Sequence, residues 1–238
     1  MSNHLILDLY TELANNPDKD FGWDTGLQNA RNHDYKEAWI ESIPEEIWSY
    51  CAAVGNPFNA GELHEGDSIL DIGCGAGVDL CVASLLVGDS GNVFGVDATP
   101  AMVEKAKYHA AIAGLSNITV YEGSLDRPPI GDGAVNIVIS NGAINLAESK
   151  EVVFSEIYRV LINGGYLYFS DMIKDENNLE EVCCSKESWA DCVAGTLRSD
   201  ELIKLLEKAG FTNAKMLNTN HYKTSSSTVG ATFSAMKP

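Results

Sequence analysis

Between residues 67 and 170, short apolar runs alternate with longer segments of helical spacing. The apolar runs predict strands, because short runs rich in Val and Ile between turn residues are typical of buried strands. We predict strands over residues 68–72, 92–96, 118–121, 135–140 and 166–170, and helices over residues 78–86, 100–113 and 152–161. Strands separated by helices indicate a parallel sheet with helices on both faces.

The flanking segments have different patterns. Leu5, Leu9 and Leu13 recur every fourth residue and predict an amphipathic first helix, and helical stretches follow over residues 29–39 and 43–48. We interpret residues 1–60 as a helical cap over the mouth of a site in the domain 61–238, with plain helical packing as the alternative. After the fifth strand we expect a helix over residues 199–209 and a terminal strand over residues 228–236, in an antiparallel pair that closes the sheet.

Charge narrows the range of partners. The chain has 16 Lys and Arg against 34 Asp and Glu, a formal net charge of −18. Because such a chain repels phosphate groups, we expect neither a nucleic acid nor an anionic membrane surface as partner. No stretch approaches the roughly 18 apolar residues that cross a bilayer, and no basic leader precedes an apolar run. We therefore expect a small-molecule partner and a cytoplasmic location, and the sequence leaves the oligomeric state open.

The six cysteines do not indicate a secreted protein. Their spacing does not match a disulfide framework, and the chain has no C-x-x-C pair, so we expect no structural metal site. The cysteines are Cys51, Cys74, Cys81, Cys183, Cys184 and Cys192.

The most informative stretch follows the first predicted strand. Asp71 stands on this strand, and glycines follow at positions 73, 75 and 77 before helical spacing resumes at Val78. A strand, a glycine-rich turn and a helix let a ligand lie directly on backbone N–H groups. A phosphate loop would end in Gly-Lys-Ser/Thr, which this stretch lacks. The dinucleotide pattern G-x-G-x-x-G would need glycine at position 78, where this chain has valine. The carboxylate at position 71 would repel a pyrophosphate but suits a cationic ligand end, such as an ammonium group.

A second acid, Asp97, ends the second strand twenty residues after Gly77. From there a carboxylate can bind both ribose hydroxyls of a nucleoside in a doubly wound sheet. Asp71, the three glycines and Asp97 together resemble the S-adenosylmethionine site of the class I methyltransferases. This resemblance implies an α/β fold with a Rossmann-like, seven-stranded, mostly parallel sheet, helices on both faces and the N-terminal helical cap. It implies S-adenosyl-L-methionine as cofactor; the alternative is a glycine-rich turn with two solvated acids.

The resemblance assigns a role to each residue of the turn. Gly73, Gly75 and Gly77 would bring backbone close to the methionine portion of the cofactor, and Cys74 lies in the same loop. Asp97 would hold the ribose.

The expected adenine contacts are less regular. Ala98 and Met102 are candidates for packing on the adenine ring. Many class I enzymes have an acid directly after the glycine that follows strand three, but this chain has Ser124 there. Leu125, through its backbone, and Asp126 are the expected substitutes for the adenine amino group, and a solvated Asp126 is the alternative.

Asn141, at the end of the fourth strand, would lie beneath the sulfonium, unless it satisfies backbone groups of a turn. The stretch around it carries a closer resemblance. Segments 140–146, 159–161, 164–165 and 167–171 look like the arsenite methyltransferases and their unassigned relatives, and segment 191–197 is similar to that family's cysteine segment. In that family thiolates bind arsenite, since trivalent arsenic prefers sulfur. Cys192 matches such a cysteine and is our candidate catalytic residue.

Other thiol positions of that family are filled differently in this chain. Val54, Gly142 and Ala231 stand where the family often has cysteines. Three further cysteines would complete a thiolate set only if the fold brings them next to Cys192, namely Cys51, Cys183 and Cys184.

We therefore predict an S-adenosylmethionine-dependent methyltransferase that acts on a small molecule. Methyl transfer mainly needs alignment of the acceptor lone pair with the sulfonium methyl in a site that excludes water. Sulfur or arsenic acceptors need little base catalysis, whereas nitrogen or oxygen would need a proton taken away. The sequence offers no clear base, and the candidates Tyr10, His33 and His221 are individually weak. The alternatives are an arsenite methyltransferase that uses Cys192 with other cysteines, a catalytically silent cofactor-binding protein, and a nucleotide-dependent oxidoreductase.

Overall fold

The structure is a computed structural model that describes residues 2–175 and 195–238, and in this part of the chain seven strands form one sheet. The strands are β1 (Ser68–Ile72), β2 (Asn92–Asp97), β3 (Ile118–Glu122), β4 (Val135–Asn141), β5 (Leu161–Lys174), β6 (Thr212–Thr219) and β7 (Thr228–Met236). The helices are α1 (Ser2–Asn15), α2 (Gly26–Asn32), α3 (Glu37–Ser42), α4 (Glu45–Trp48), α5 (Val78–Val87), α6 (Pro100–Ile112), α7 (Lys150–Val160) and α8 (Ser199–Lys208).

The strand order is β3-β2-β1-β4-β5-β7-β6. The pairs from β3 to β5 are parallel, and β7 is antiparallel to both β5 and β6. This confirms the predicted seven-stranded, mostly parallel sheet with an antiparallel closing element. The direction of winding reverses between β1 and β4, and ligands of such sheets bind at the carboxyl ends of the strands beside this reversal.

Helices cover both faces of the sheet, as the apolar runs predict. Ile69 and Leu70 are neighbours in β1 and point to opposite faces, because side chains alternate along a strand. Ile69 belongs to a cluster with Leu80 of α5, and Leu70 belongs to a second cluster with Phe154 of α7 and Leu202 of α8. Both β1 side chains are fully buried, so a continuous apolar run rather than an alternating one encodes this strand.

The segment before β1 packs into the core of the sheet. The buried side chains of Tyr35, Trp39, Trp48 and Phe58 belong to the same cluster as Ile69. Helix α1 lies separately and contacts α6. The division at residue 60 stays a prediction, since the segment from residue 30 to residue 58 shares its hydrophobic core with the sheet.

Two predicted elements differ from the structure. The helical stretch over residues 29–39 is wrong as a single element, because Asp34 has a φ of 59° in the left-handed region and separates α2 from α3. Strand β5 is longer than the predicted 166–170, since it pairs with β7 from Tyr166 to Lys174. The apolar pattern predicted a shorter strand because it is interrupted by the polar Asp171 and by the glycines before Tyr166.

Within the described ranges, no helix has both the length and the apolar character that crossing a membrane requires.

Two contacts fix α6 against the turn that joins β1 to α5. Gly77 has a φ of 88°, and a Cβ atom there would lie 3.1 Å from Ala106 Cβ. His109, which is fully buried, lies with its Nδ1 atom 2.7 Å from the carbonyl oxygen of Ala76. A carbonyl accepts, so Nδ1 carries the proton and donates. The turn between β1 and α5 therefore rests on α6 through backbone contact and one buried hydrogen bond.

We expect Gly77→Ala to destabilise the chain more than Gly114→Ala. Both glycines have a left-handed φ, which costs alanine about 1–2 kcal/mol, but a Cβ atom at position 114 meets nothing within 4 Å. At position 77 the contact with Ala106 should add roughly 1 kcal/mol or more through overpacking. Urea unfolding of the two variants measures the difference, and equal losses would contradict the close approach of α6.

We expect the stability difference between wild type and His109→Asn to shrink as the pH falls from 7.5 to 5.5. Burial lowers the pKa of His109, so below the unfolded pKa near ~6.5 the unfolded chain binds a proton that the folded chain does not. The contribution of His109 is therefore complete above that pH and is lost as the pH falls towards the folded pKa, by at most about 1.4 kcal/mol per pH unit. Urea titrations at several pH values measure it. A difference that is constant over this range, as it should be between pH 7.5 and 8.5, would contradict the burial of a neutral ring.

Candidate functional site

A cavity of about 450 Å³ opens at the carboxyl ends of β1, β2 and β4, beside the reversal of the sheet. Ten of the predicted cofactor residues line it: Asp71, Gly73, Cys74, Gly75, Asp97, Ala98, Met102, Leu125, Asp126 and Asn141. Gly77 is not among the lining residues, because it faces α6 rather than the cavity. Cys192 lies outside the described residues.

The glycine turn exposes backbone to this cavity. The N–H groups of Gly73 and Cys74 donate to the carbonyl oxygen of Val96, at 2.8 and 3.1 Å, so β2 holds the start of the turn. Gly75 has a φ of 51°, and a Cβ atom there would meet no protein atom within 4 Å. A side chain at position 75 would occupy the space that the cavity leaves open, which fits a turn built to let a ligand approach the backbone.

Asp97 fastens the same turn from the end of β2. One carboxylate oxygen accepts from the N–H of Gly75 at 2.9 Å, and the other accepts from the N–H of Thr99 at 2.8 Å. Burial raises the pKa of Asp97, and these two hydrogen bonds lower it. Each carboxylate oxygen has a further lone pair, so Asp97 can hold the turn and still accept from two ligand hydroxyls.

Asp71 is the least satisfied polar group of the site. Its side chain is buried on the wall of the cavity, and its Oδ2 atom has no hydrogen-bond partner among the residues that the structure describes. Burial, followed by the negative charges of Asp79 and Asp97, holds its pKa well above the usual range. A buried carboxyl group without a partner is costly, and a cationic or donor group of a ligand would relieve this cost.

Asp79, which the sequence analysis missed, joins the site to the N-terminal segment. It accepts from the hydroxyl of Tyr35 at 2.5 Å and from the side-chain amide of Asn141 at 3.1 Å. Burial raises the pKa of Asp79, while both hydrogen bonds lower it. An acidic residue in the first turn of the helix after the glycine turn was the available signal.

Asn141 lines the cavity and also makes several hydrogen bonds to its neighbours. Its place beneath the sulfonium stays a prediction. Its Oδ1 atom accepts from the N–H of Val54 at 3.1 Å, and its Nδ2 atom donates to the carbonyl of Gly55 at 3.0 Å and to Asp79. These bonds agree with the alternative of an asparagine that satisfies backbone groups. Asn141 lines the cavity, but its amide holds the segment around Val54 against the end of β4.

Helix α1 covers one side of the cavity. Leu13 is buried in a cluster with Ala76 and Met102, and Tyr10 packs against this cluster. The hydroxyl of Ser124, another lining residue, donates to the carboxylate of Asp126. Of the expected adenine residues, Met102 therefore lies on a wall that α1 completes.

The opposite wall is apolar and contains two of the family's thiol positions. Val54 packs with Leu146 and Tyr222, and a Cβ atom on Gly142 would lie 3.3 Å from Val54 Cγ1. Ala231 does not line the cavity and packs in the cluster of α7 and α8 on the other face. The correspondence of Ala231 to a family cysteine stays a prediction, and the structure places Ala231 away from the cavity.

The remaining thiols are placed as follows. Cys51 lines the cavity, but it is buried, donates to Asn29 Oδ1 at 3.3 Å, and burial raises its pKa. Cys183 and Cys184 lie outside the described residues. In the ranges 2–175 and 195–238, no group of His, Cys, Asp and Glu is arranged to hold a metal ion.

The three base candidates of the sequence are also separated. Tyr10 lines the cavity. His33 is buried against Tyr222, with 5.0 Å between ring centroids, and does not line it, and His221 is exposed.

Known proteins share this fold. Residues 63–210 match the model of a family described as methyltransferase domain. The arsenite methyltransferase of Halobacterium salinarum is 39% identical over 157 residues, which are 66% of this chain and 40% of the relative. The human arsenite methyltransferase is 39% identical over 163 residues, which are 64% of this chain and 43% of the relative. The chain thus spans less than half the length of these two relatives.

A solved structure extends the match. An arsenic(III) S-adenosylmethionine methyltransferase from Chlamydomonas reinhardtii superposes with a TM-score of 0.69 and 33% identity, over 84% of this chain and 72% of the other. The resemblance predicted from the glycine turn and the two acids is confirmed. With more than half of its length matched by the family model, the chain belongs to the methyltransferase domain family.

Proposed function

We propose that the chain binds S-adenosylmethionine in this cavity and transfers its methyl group to a small molecule. The observation that carries the proposal is the unpartnered, buried Oδ2 atom of Asp71 on the wall that the glycine turn and Asp97 share. A ligand with a positive charge near Asp71 and two hydroxyls near Asp97 satisfies both carboxyl groups. The resemblance to relatives that are S-adenosylmethionine methyltransferases supports the same ligand.

Different residues of the cavity would contact different parts of the cofactor. Asp71 would receive the ammonium group, the backbone at Gly75 would lie along the methionine portion, and Asp97 would accept from the ribose hydroxyls. Met102 and Leu125 would enclose the adenine ring. When bound, S-adenosylmethionine supplies a methyl group on a positively charged sulfur.

The protein's contribution to the reaction is alignment and the exclusion of water. Helix α1 covers the cavity over Ala76 and Met102, and the Tyr35, Asp79 and Asn141 network fixes the segment around Val54. A fixed approach of the acceptor can supply a large part of the rate enhancement of a methyl transfer. A cytoplasmic location accords with the three free, buried cysteines of the described residues, Cys51, Cys74 and Cys81.

A second candidate function is arsenite methylation, which is favoured by the similarity to arsenite methyltransferases. The wall at Val54 and Gly142 argues against it. These two positions adjoin each other, and this chain has a valine and a glycine where we expect the arsenite methyltransferases to have cysteines. Gly142 has a φ of 70°, so even a cysteine at this position would be strained.

We expect Asp97→Ala to weaken binding of both S-adenosylmethionine and S-adenosylhomocysteine by about tenfold or more. The substitution removes charge-assisted hydrogen bonds, each worth about 1.5–3 kcal/mol, from the ligand and from the N–H of Gly75. Calorimetry measures both affinities. Asp89→Ala removes an equal charge at an exposed position outside the cavity and serves as control. Unchanged affinity in a folded Asp97→Ala variant would place the ribose elsewhere.

We expect arsenite with glutathione to be methylated poorly or not at all. Cys192 supplies one sulfur, and a single thiolate exchanges with free glutathione, so arsenite is not held in line with the methyl group. Mass spectrometry of methylarsenicals over time measures this in wild type, in Cys192→Ser and in the triple variant Cys51→Ser, Cys183→Ser, Cys184→Ser. Robust turnover that Cys192→Ser abolishes would contradict the prediction, and the triple variant would identify the cysteines that complete the site.

A further inference from the structure

The charge of the cavity wall limits the acceptor. The lining side chains include five carboxyl groups, and no lysine, arginine or histidine lines the cavity in the part of the chain that the structure describes. The carboxyl groups belong to Asp71, Asp79, Asp97, Asp126 and Glu148. Residues 176–194, outside that part, add five acidic side chains and one lysine to the sequence. A carboxylate or phosphate on the acceptor would meet repulsion and find no cation on this wall.

Among the lining residues that the structure describes, the carboxyl groups and the Cys51 thiol offer no prepared base. Asp126 already accepts from the hydroxyl of Ser124. Asp79 already accepts from Tyr35 and Asn141, and Asp97 accepts from two backbone N–H groups. Burial raises the pKa of the Cys51 thiol, which keeps it protonated near neutral pH. Asp71 is assigned to the ammonium group of the cofactor, and Glu148 is exposed at the rim.

A general base that works near neutral pH needs a pKa close to it and a lone pair that faces the acceptor. None of these groups combines the two. An acceptor atom that must lose a proton before it attacks is therefore poorly served by this wall.

The surface that remains for the acceptor is apolar and aromatic. Val54, Leu146 and Tyr222 form one cluster, and Val152 and Trp23 also line the cavity. Aromatic faces and carboxylates attract cations, and an apolar wall tolerates the methyl groups that surround an onium centre.

We propose that the acceptor is a small neutral thioether, whose sulfur carries a lone pair and no proton near neutral pH, and that it leaves as a sulfonium cation. This inference rests on the proposed methyl transfer and names the acceptor class of the same cavity. The lone pair of the acceptor forms the new bond to the methyl carbon, while the pair of the broken carbon–sulfur bond stays on the donor sulfur. Positive charge passes to the acceptor, and no proton is released.

Binding of product-like cations tests the proposal without turnover. Calorimetry first establishes binding of S-adenosylhomocysteine, and failure at this stage would count against the proposed function itself. Tetramethylammonium, trimethylsulfonium and pivalate, an anion of similar size and shape, are then titrated into the complex. We expect at least one of the two cations to bind about tenfold or more tightly than pivalate. Pivalate binding as tightly as both cations would overturn the acceptor class.

A matched pair of charge reversals distinguishes the effect of the cavity wall on binding from the effect of the overall charge of −18. Glu148→Lys places a cation on the wall, and Glu41→Lys makes the same change at an exposed position of α3 outside the cavity. We expect Glu148→Lys to reduce the preference for the cation over pivalate by about fivefold, and Glu41→Lys to leave it unchanged. Equal effects would show that the net charge of the chain sets the preference and would overturn the proposal.

Turnover tests the acceptor class. Dimethyl sulfide is compared with (methylthio)acetate, which carries the same reacting sulfur with a carboxylate nearby, and with trimethylamine, which like other alkylamines is protonated near neutral pH. We expect trimethylsulfonium by mass spectrometry, formed at least tenfold faster than the products of the other two acceptors. Faster turnover of (methylthio)acetate or of trimethylamine, or binding of S-adenosylmethionine with no turnover of dimethyl sulfide, would overturn the acceptor class and leave cofactor binding intact.

Discussion

This site depends on three clustered carboxyl groups that face a cavity in which no described lining residue is a cation. Asp71, Asp79 and Asp97 stand where the first two strands end and α5 begins, and burial raises the pKa of each. Each buried carboxyl group needs hydrogen-bond donors, because a buried charge without partners is very costly. The donors come from three sources, and each source fixes a different part of the site.

Asp97 obtains its donors from the backbone, so it fastens the glycine turn to the end of β2. Asp79 obtains them from Tyr35 and Asn141, so it ties the N-terminal segment to β4. Asp71 keeps an oxygen that no group of the described residues reaches. The same physical requirement thus builds the turn, closes the cavity beside it, and leaves one position that a ligand donor can satisfy.

The parts that sequence could predict are those that local pattern encodes. The bounds of β1 and β7 agree with the prediction, because each strand is a short, mostly apolar stretch that follows polar or turn residues. Ten of the eleven predicted cofactor residues line one cavity, since they follow directly on strands that end at the same edge.

Long-range pairings could not be read in this way. The hydroxyl of Tyr35 meets Asp79 across 44 residues, and Asn141 reaches Val54 across 87. The local sequence around these residues contains no pattern that predicts such hydrogen bonds. The face on which Ala231 lies could have been predicted from the alternation of side chains along β7. Ala231, Phe233 and Ala235 point to the same face of the sheet, and all three pack in the cluster of α7 and α8.

The two walls of the cavity depend on different parts of the chain, which explains how a shared scaffold can serve different acceptors. The turn after β1 and the end of β2 hold the expected cofactor contacts, while Val54 and Gly142 belong to the segment before β1 and the end of β4. A side chain at position 142 would contact the side chain of Val54. The hydrogen bonds by which Asn141 holds the segment around Val54 run to backbone atoms, so they do not depend on the side chain at position 54. Exchanging sulfur for apolar groups at these positions therefore changes the chemistry that faces the acceptor without altering a single hydrogen bond of the glycine turn.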